Sequence, residues 1–223
     1  GSFRKYPQLE KKIKKMHEIS YDGLHNKALV KVGMAHGVTS NNLPVIGALQ
    51  DHYANWGLAE RLEQDVDSDF VGLQTYFRFK MALAVQPYRG SDPRYHSDHP
   101  QFAQIHPESV YEVLKRGAAT WKNKELILSE FGFADNADQK RPDWILESVY
   151  HLIRAKREGI NVTGALLWSL INNFEWCKGM DTNFGLFDHH GNRLPSDTEA
   201  NDHVSSREAW TTASKHLLDP TFE

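Results

Sequence analysis

The apolar residues of this 223-residue chain fall into short continuous runs separated by longer stretches of helical spacing. The runs are Val30–Ala35, Asp69–Tyr76, Glu125–Ser129 and Val162–Trp168. They are short and read as strands, several ending in polar and aromatic groups. Between them the period lengthens. Leu49–Gln64 has helical spacing, and Pro107 opens a second helix with Val110, Leu114, Ala118 and Trp121 on one face. Arg141–Glu158 is a third, with Ile145, Val149, Leu152 and Ile153 on one stripe and Gly159 where a helix C-terminal glycine belongs. Ser205–Leu217 reads as a closing helix and Phe184–Phe187 as a short extended piece. Ahead of these, Lys5–Lys15 is a charged solvated helix or extended lead-in, and Ile19–Val30 reads as helical. Gln86–Ile105, rich in Pro, Asp, Ser, His and Tyr, reads as an ordered surface loop of the kind that borders a site.

The strand–helix order repeats about four times, which predicts parallel strands covered by helices. In that architecture functional groups gather at the C-terminal ends of the strands. Tyr76, Glu130 and Trp168 all stand at such ends. The stretch Trp168–Trp176 sets two tryptophans and a carboxylate directly behind an apolar run. Flat aromatic faces and hydroxyl-binding carboxylates suit a sugar ring.

Composition narrows the function classes. At 40% hydrophobic residues the chain can build one substantial core, and residues 1–223 are expected to form a single domain. A net charge of −3 without a basic stripe argues against nucleic acid and anionic membrane surfaces as partners. No apolar run approaches a membrane span, and no signal-peptide pattern opens the chain. Gly1-Ser2 reads as a cloning remnant, so the natural start is expected upstream. Cys177 is the only cysteine, which leaves no disulfide framework and points to a reducing cytoplasm. The 12 histidines are scattered without metal-ligand spacing, so neither metal nor cofactor is expected.

From His106 to Ala200 the chain resembles the C-terminal part of the retaining β-glycosidases of glycoside hydrolase family 1. Leu128-Ser-Glu-Phe-Gly132 stands where that family has its Thr-Glu-Asn-Gly nucleophile motif. Trp168-Ser-Leu-Ile-Asn-Asn-Phe-Glu-Trp176 is similar to the family's Trp-Ser-Leu-x-Asp-Asn-Phe-Glu-Trp, and Phe184-Gly-Leu186 follows where the family has Phe-Gly-Leu. Asp69–Tyr76 resembles the family's Asp-Phe-Ile-Gly-Ile-Asn-Tyr-Tyr. The resemblance implies the C-terminal half of a (β/α)8 TIM barrel. It implies Glu130 as the nucleophile, Tyr76 as a hydrogen-bond donor orienting it, and Trp168 as a platform under the sugar. Glu175 and Trp176 would bind sugar hydroxyls and Phe184 would wall the pocket. Gln74, where the family has Asn, would contact the surroundings of the nucleophile. The implied substrate is a β-glucoside or related β-glycoside, and the Glu175–Trp176 pair argues against the family's phospho-glycosidase branch.

The departures limit the expectation. A complete member has an eight-stranded barrel, and its first half carries an Asn-Glu-Pro motif whose Glu is the general acid/base. No Asn-Glu-Pro occurs in this sequence, and Phe131 replaces the Asn of the nucleophile motif. Retaining hydrolysis needs two carboxyl groups about 5–5.5 Å apart. Glu108 at a helix start, and Asp135 and Asp138 in a polar loop, are poor candidates for the second. The chain is therefore expected to be inactive alone and to need a complementary N-terminal half-barrel. The alternatives are a catalytically silent sugar-binding module and a half-barrel that associates with itself.

Overall fold

The structure is a computed structural model describing residues 11, 15, 31–38, 40–41, 51–52, 55–65, 68–79, 94, 96–99, 105–197 and 203–218. The expected helix over Ile19–Val30 and most of the Gln86–Ile105 loop lie outside the described residues. The strands are β1 (Gly33–Gly37), β2 (Ser40–Asn41), β3 (Phe70–Thr75), β4 (Arg78–Phe79), β5 (Glu125–Phe131) and β6 (Val162–Leu167). The helices are α1 (Trp56–Asp65), α2 (Ser109–Thr120), α3 (Arg141–Arg157) and α4 (Ser206–Leu218). β1, β3, β5 and β6 form one four-stranded sheet in that order, with every pairing parallel. β2 and β4 form a separate parallel pair. The expected parallel α/β arrangement is therefore present.

One face of the sheet packs against helices. Val71 and Leu73 of β3 and Leu126 and Leu128 of β5 join Val110, Val113 and Leu114 of α2 and Ile145, Val149 and Leu152 of α3 in a single core. Gly117 lets α2 lie this close, because a Cβ there would meet Leu73 at 2.9 Å. The opposite face carries small residues beside Phe70 and Ile127. A Cβ on Gly72 would come within 3.0 Å of both Ala35 and the Ser129 hydroxyl. Toward the β6 edge this face carries Leu166, which is 62% exposed.

Three of the boundary shifts have a local reason. β1 starts at Gly33, later than expected, because Val32 is held by Asp69, whose carboxylate accepts its N–H at 2.7 Å. The helix expected from Pro107 begins at Ser109, after a turn in which the Ser109 N–H donates to the His106 carbonyl at 2.9 Å. β5 continues past Ser129 to Phe131, so Glu130 lies inside the strand. α3 ends as expected at Gly159, whose φ of 84° is open to glycine without strain.

A buried ionic network ties the loop after β5 to α4. Arg141, 1% exposed, donates to Asp138 Oδ1 from Nη2 at 2.7 Å and to the Ser206 hydroxyl from Nε at 2.9 Å. Its Nη1 donates to the Asn183 carbonyl at 2.8 Å. Asp138 also accepts from Ser196 and from the Ser206 N–H. Asp135, expected only to sit in a polar loop, is buried and accepts the Lys140 and Arg141 N–H groups at 2.6 and 3.1 Å, closing the start of α3.

Removing one partner of a buried pair leaves the other charge uncompensated. Asp138→Ala is therefore expected to lower stability by about 3–5 kcal/mol, read from the urea midpoint. Asp197 supplies a pH test. Hydrogen bonds from Arg207 foremost, then from Ser205, hold its pKa below the ordinary 3.8 against the opposing effect of burial. A depressed carboxylate contributes stability that is full above its unfolded pKa and is lost as pH falls through its folded value. Asp197→Asn is expected to lower the melting temperature at neutral pH and to flatten its decline below pH 3.8, followed by circular dichroism.

Candidate active site

The site gathers at the C-terminal edge of the main sheet. Glu130 comes from β5, Tyr76 follows β3, and Trp168 follows β6. The aim of Glu130 depends on a register slip. Leu73 pairs with Leu128, but Gln74 pairs with Glu130, so Ser129 is an extra residue opposite β3. Without the slip, strict alternation from Leu126 and Leu128 would turn Glu130 into the helix-covered core. With it, Phe131 takes the core position, 5.7 Å from Trp144 and 6.0 Å from Trp210, and Glu130 faces the open side.

Two carboxylates define the chemistry. The Tyr76 hydroxyl donates to Glu130 Oε2 at 2.6 Å. Burial, reinforced by this bond and by the charges of Glu130 and Glu175, drives the phenol pKa far above 10.0, so Tyr76 stays a donor at any working pH. Glu175 is 5% exposed, and its Oε1 accepts from the Trp168 indole at 3.1 Å and from the Asn173 amide at 2.9 Å. Both bonds fall on the same oxygen.

Close backbone contacts hold the wall together. A Cβ on Gly132 would meet the Trp168 carbonyl at 2.4 Å, so only glycine lets the segments after β5 and β6 approach. The Trp168 N–H donates to the Phe131 carbonyl at 2.8 Å, and the Trp168–Ser169 peptide is cis. Phe184, 1% exposed, meets the Tyr76 ring edge-on at 6.0 Å. Gln74 lies on β3 in register with Glu130.

The structure thus brings together Glu130 and Tyr76, joins Trp168 to Glu175, and packs Phe184 on Tyr76. Trp176 does not join them. It is 84% exposed at the start of a 3-10 turn, Trp176–Lys178, with φ of 46°. Sequence reasoning did not single out Asn173 or His99. Asn173 was visible only as part of the Trp168–Trp176 block. His99, from the loop expected to border a site, is buried with its ring 6.1 Å from Phe184. Burial lowers its pKa below 6.5, opposed by the Glu175 charge and aided by Lys178. Of potential metal ligands among the described residues, His106, Glu108 and Glu112 bring ligand atoms within 4.8 Å of one another. Arg154, 3.4 Å from Glu108, already supplies positive charge there.

A parallel α/β sheet with Glu130 near the end of β5 bonded by tyrosine, and Glu175 beyond β6 bonded by tryptophan, fits the class of a glycoside-hydrolase (β/α) barrel, of which it forms a part. The family model Glycosyl hydrolase family 1 matches residues 49–212, and the chain belongs to that family. The β-galactosidase of Sulfolobus acidocaldarius is 40% identical over 85 residues, 37% of this chain and 17% of that protein. Fpglu1 from Fervidobacterium pennivoraus superimposes with a TM-score of 0.67 at 24% identity, covering 92% of this chain and 47% of that one. The family 1 β-glucosidase from Thermotoga maritima, in complex with isofagomine lactam, gives a TM-score of 0.67 at 18% identity, covering 90% of this chain and 54% of that one. The chain thus spans about half the length of these solved relatives.

The Glu175 contact is directly measurable. Glu175→Ala is expected to shift the Trp168 indole N–H resonance upfield and to speed its solvent exchange by at least about tenfold. An unchanged proton spectrum would contradict the bond.

Proposed function

We propose that this chain forms the nucleophile side of a retaining β-glycosidase acting on β-glucosides or β-galactosides. The observation that carries the reading is the hydrogen bond from Tyr76 to Glu130 at the open edge of the sheet, beside the Trp168–Glu175 pair. Tyr76 ties down Oε2 and leaves Oε1 to attack the anomeric carbon. The bond formed is a glycosyl ester to Glu130, and the bond broken is that to the aglycone oxygen, which must gain a proton as it leaves. Water then cleaves the ester and returns Glu130 as a carboxylate. Trp168 would lie under the sugar ring, Glu175 and Trp176 would bind its hydroxyls, Phe184 would close the wall and Gln74 would border the nucleophile. For Trp176 this requires its exposed ring to turn inward, or a partner surface to cover it.

The proton donor must come from elsewhere. Glu175 already accepts from Trp168 and Asn173, which suits a ligand-binding carboxylate rather than an acid poised to donate. Hence the chain needs a complementary half-barrel that supplies the acid/base and is inactive alone. Leu166, Leu170, Ile171 and Phe174, all large and exposed near the sheet edge, support such a partner. The same surface favours self-association as a second reading. Residues 1–223 act as one domain in this scheme, and the single Cys177 suits the cytoplasm. No helix among the described residues is long and apolar enough to cross a membrane.

Mixing the chain with the N-terminal half of a family 1 barrel is expected to give hydrolysis of an aryl β-glucoside that neither half shows alone. Glu130→Ala should reduce that activity by about 10⁴-fold or more. Activity that survives the substitution would remove Glu130 from the nucleophile role.

A further inference from the structure

The loop between β5 and α3 carries a residue that none of the roles above uses. The Asn136 N–H donates to Asp98 Oδ2 at 2.7 Å. Its side-chain amide donates to the Asp181 carbonyl at 2.8 Å and accepts the Asn183 N–H at 2.9 Å. One residue thus reaches a segment before it in the chain and another after it. Bonds on either side hold the same seams. The Asp98 N–H and the Ser97 hydroxyl donate to the Ala134 carbonyl at 3.0 and 3.2 Å, and the Asp135 N–H donates to the Asn183 carbonyl at 3.0 Å.

Each joined segment carries an aromatic ring of the site. His99 follows Asp98, and Phe184 follows Asn183, and the two rings lie 6.1 Å apart. Phe184 in turn meets Tyr76 edge-on, and Tyr76 holds Glu130. We propose that Asn136 is a positioning residue. It splints the 97–99 and 181–184 segments onto the nucleophile loop, and so fixes the His99–Phe184 wall against which Tyr76 orients Glu130. The proposal rests on Glu130 being the nucleophile.

The amide is the side chain this task needs, because it donates and accepts at once. Alanine loses both bonds. Aspartate keeps the acceptor for the Asn183 N–H but sets a charged oxygen against the Asp181 carbonyl. Asn136 is exposed, so water can replace the lost bonds; global stability then changes little while the wall loosens. A small displacement of a reacting group is costly to rate, on the order of 10²-fold for 1 Å.

The test uses 2-deoxy-2-fluoro-β-glucosyl fluoride on the chain mixed with the N-terminal half of a family 1 barrel. Fluoride leaves without protonation, so covalent labelling of Glu130 needs a positioned nucleophile and no acid. Labelling is followed by intact mass and peptide mapping, and hydrogen exchange reads the Asn183 amide. Asn136→Ala is expected to speed Asn183 exchange by about tenfold. It should slow the labelling rate at saturation by about tenfold, with apparent affinity for the label held within about twofold. Asn136→Asp should restore the Asn183 protection and part of the rate. Unchanged labelling in Asn136→Ala, or unchanged Asn183 exchange, would overturn the proposal. So would a rate loss that follows the melting temperature and is not relieved by aspartate. A parent mixture that takes no label at Glu130 would instead overturn the nucleophile assignment. The exchange of Asn183 would still report the splint independently.

Discussion

The phase of one strand governs the site. β5 must bury Leu126, Leu128 and Phe131 against the helices, and it must present Glu130 to the other side. A strict two-residue period cannot do both. The slip at Ser129 resolves the conflict by adding one residue opposite β3, after which the core side of the strand passes from Leu128 to Phe131. The core and the carboxylate are therefore aimed by the same irregularity. Phe131, where the family motif has Asn, takes its place among Trp144 and Trp210.

The two carboxylates differ by the donors that face them. Glu130 meets a buried phenol that cannot ionise at working pH, and Glu175 meets an indole and an amide. Each of these partners is a neutral donor. The buried pair of Arg141 with Asp138 serves the backbone. It grips the Asn183 carbonyl just before Phe184, so the ring wall and the helix layer share one anchor.

Among the described residues the two faces of the sheet differ. Helices α2 and α3 cover the face carrying Leu73, Leu126 and Leu128, and the other face carries Ala35, Gly72 and Ser129. Leu166, Leu170, Ile171 and Phe174 crowd the β6 edge and its continuation in solvent. An open apolar edge is a pairing surface by its nature. The solved relatives are about twice as long as this chain.

The alternation of short apolar runs with stretches of helical spacing determined the parallel α/β class, because strands separated by helices pair in parallel under a helical layer. The strand-end position of Tyr76, Glu130 and Trp168 was equally legible, since it follows from where each run stops. Asp135 and Asp138 were read as loop polarity, and their capping and ion-pair roles appeared only once Arg141 and Ser206 stood beside them. His99 and Asn136 carry no periodicity or motif; their partners are dozens of residues away, and only folding brings them together. The direction of Glu130 was hidden for the same reason. A linear pattern of period two would have sent it into the core, and the pairing of β5 with β3 decided otherwise by skipping Ser129.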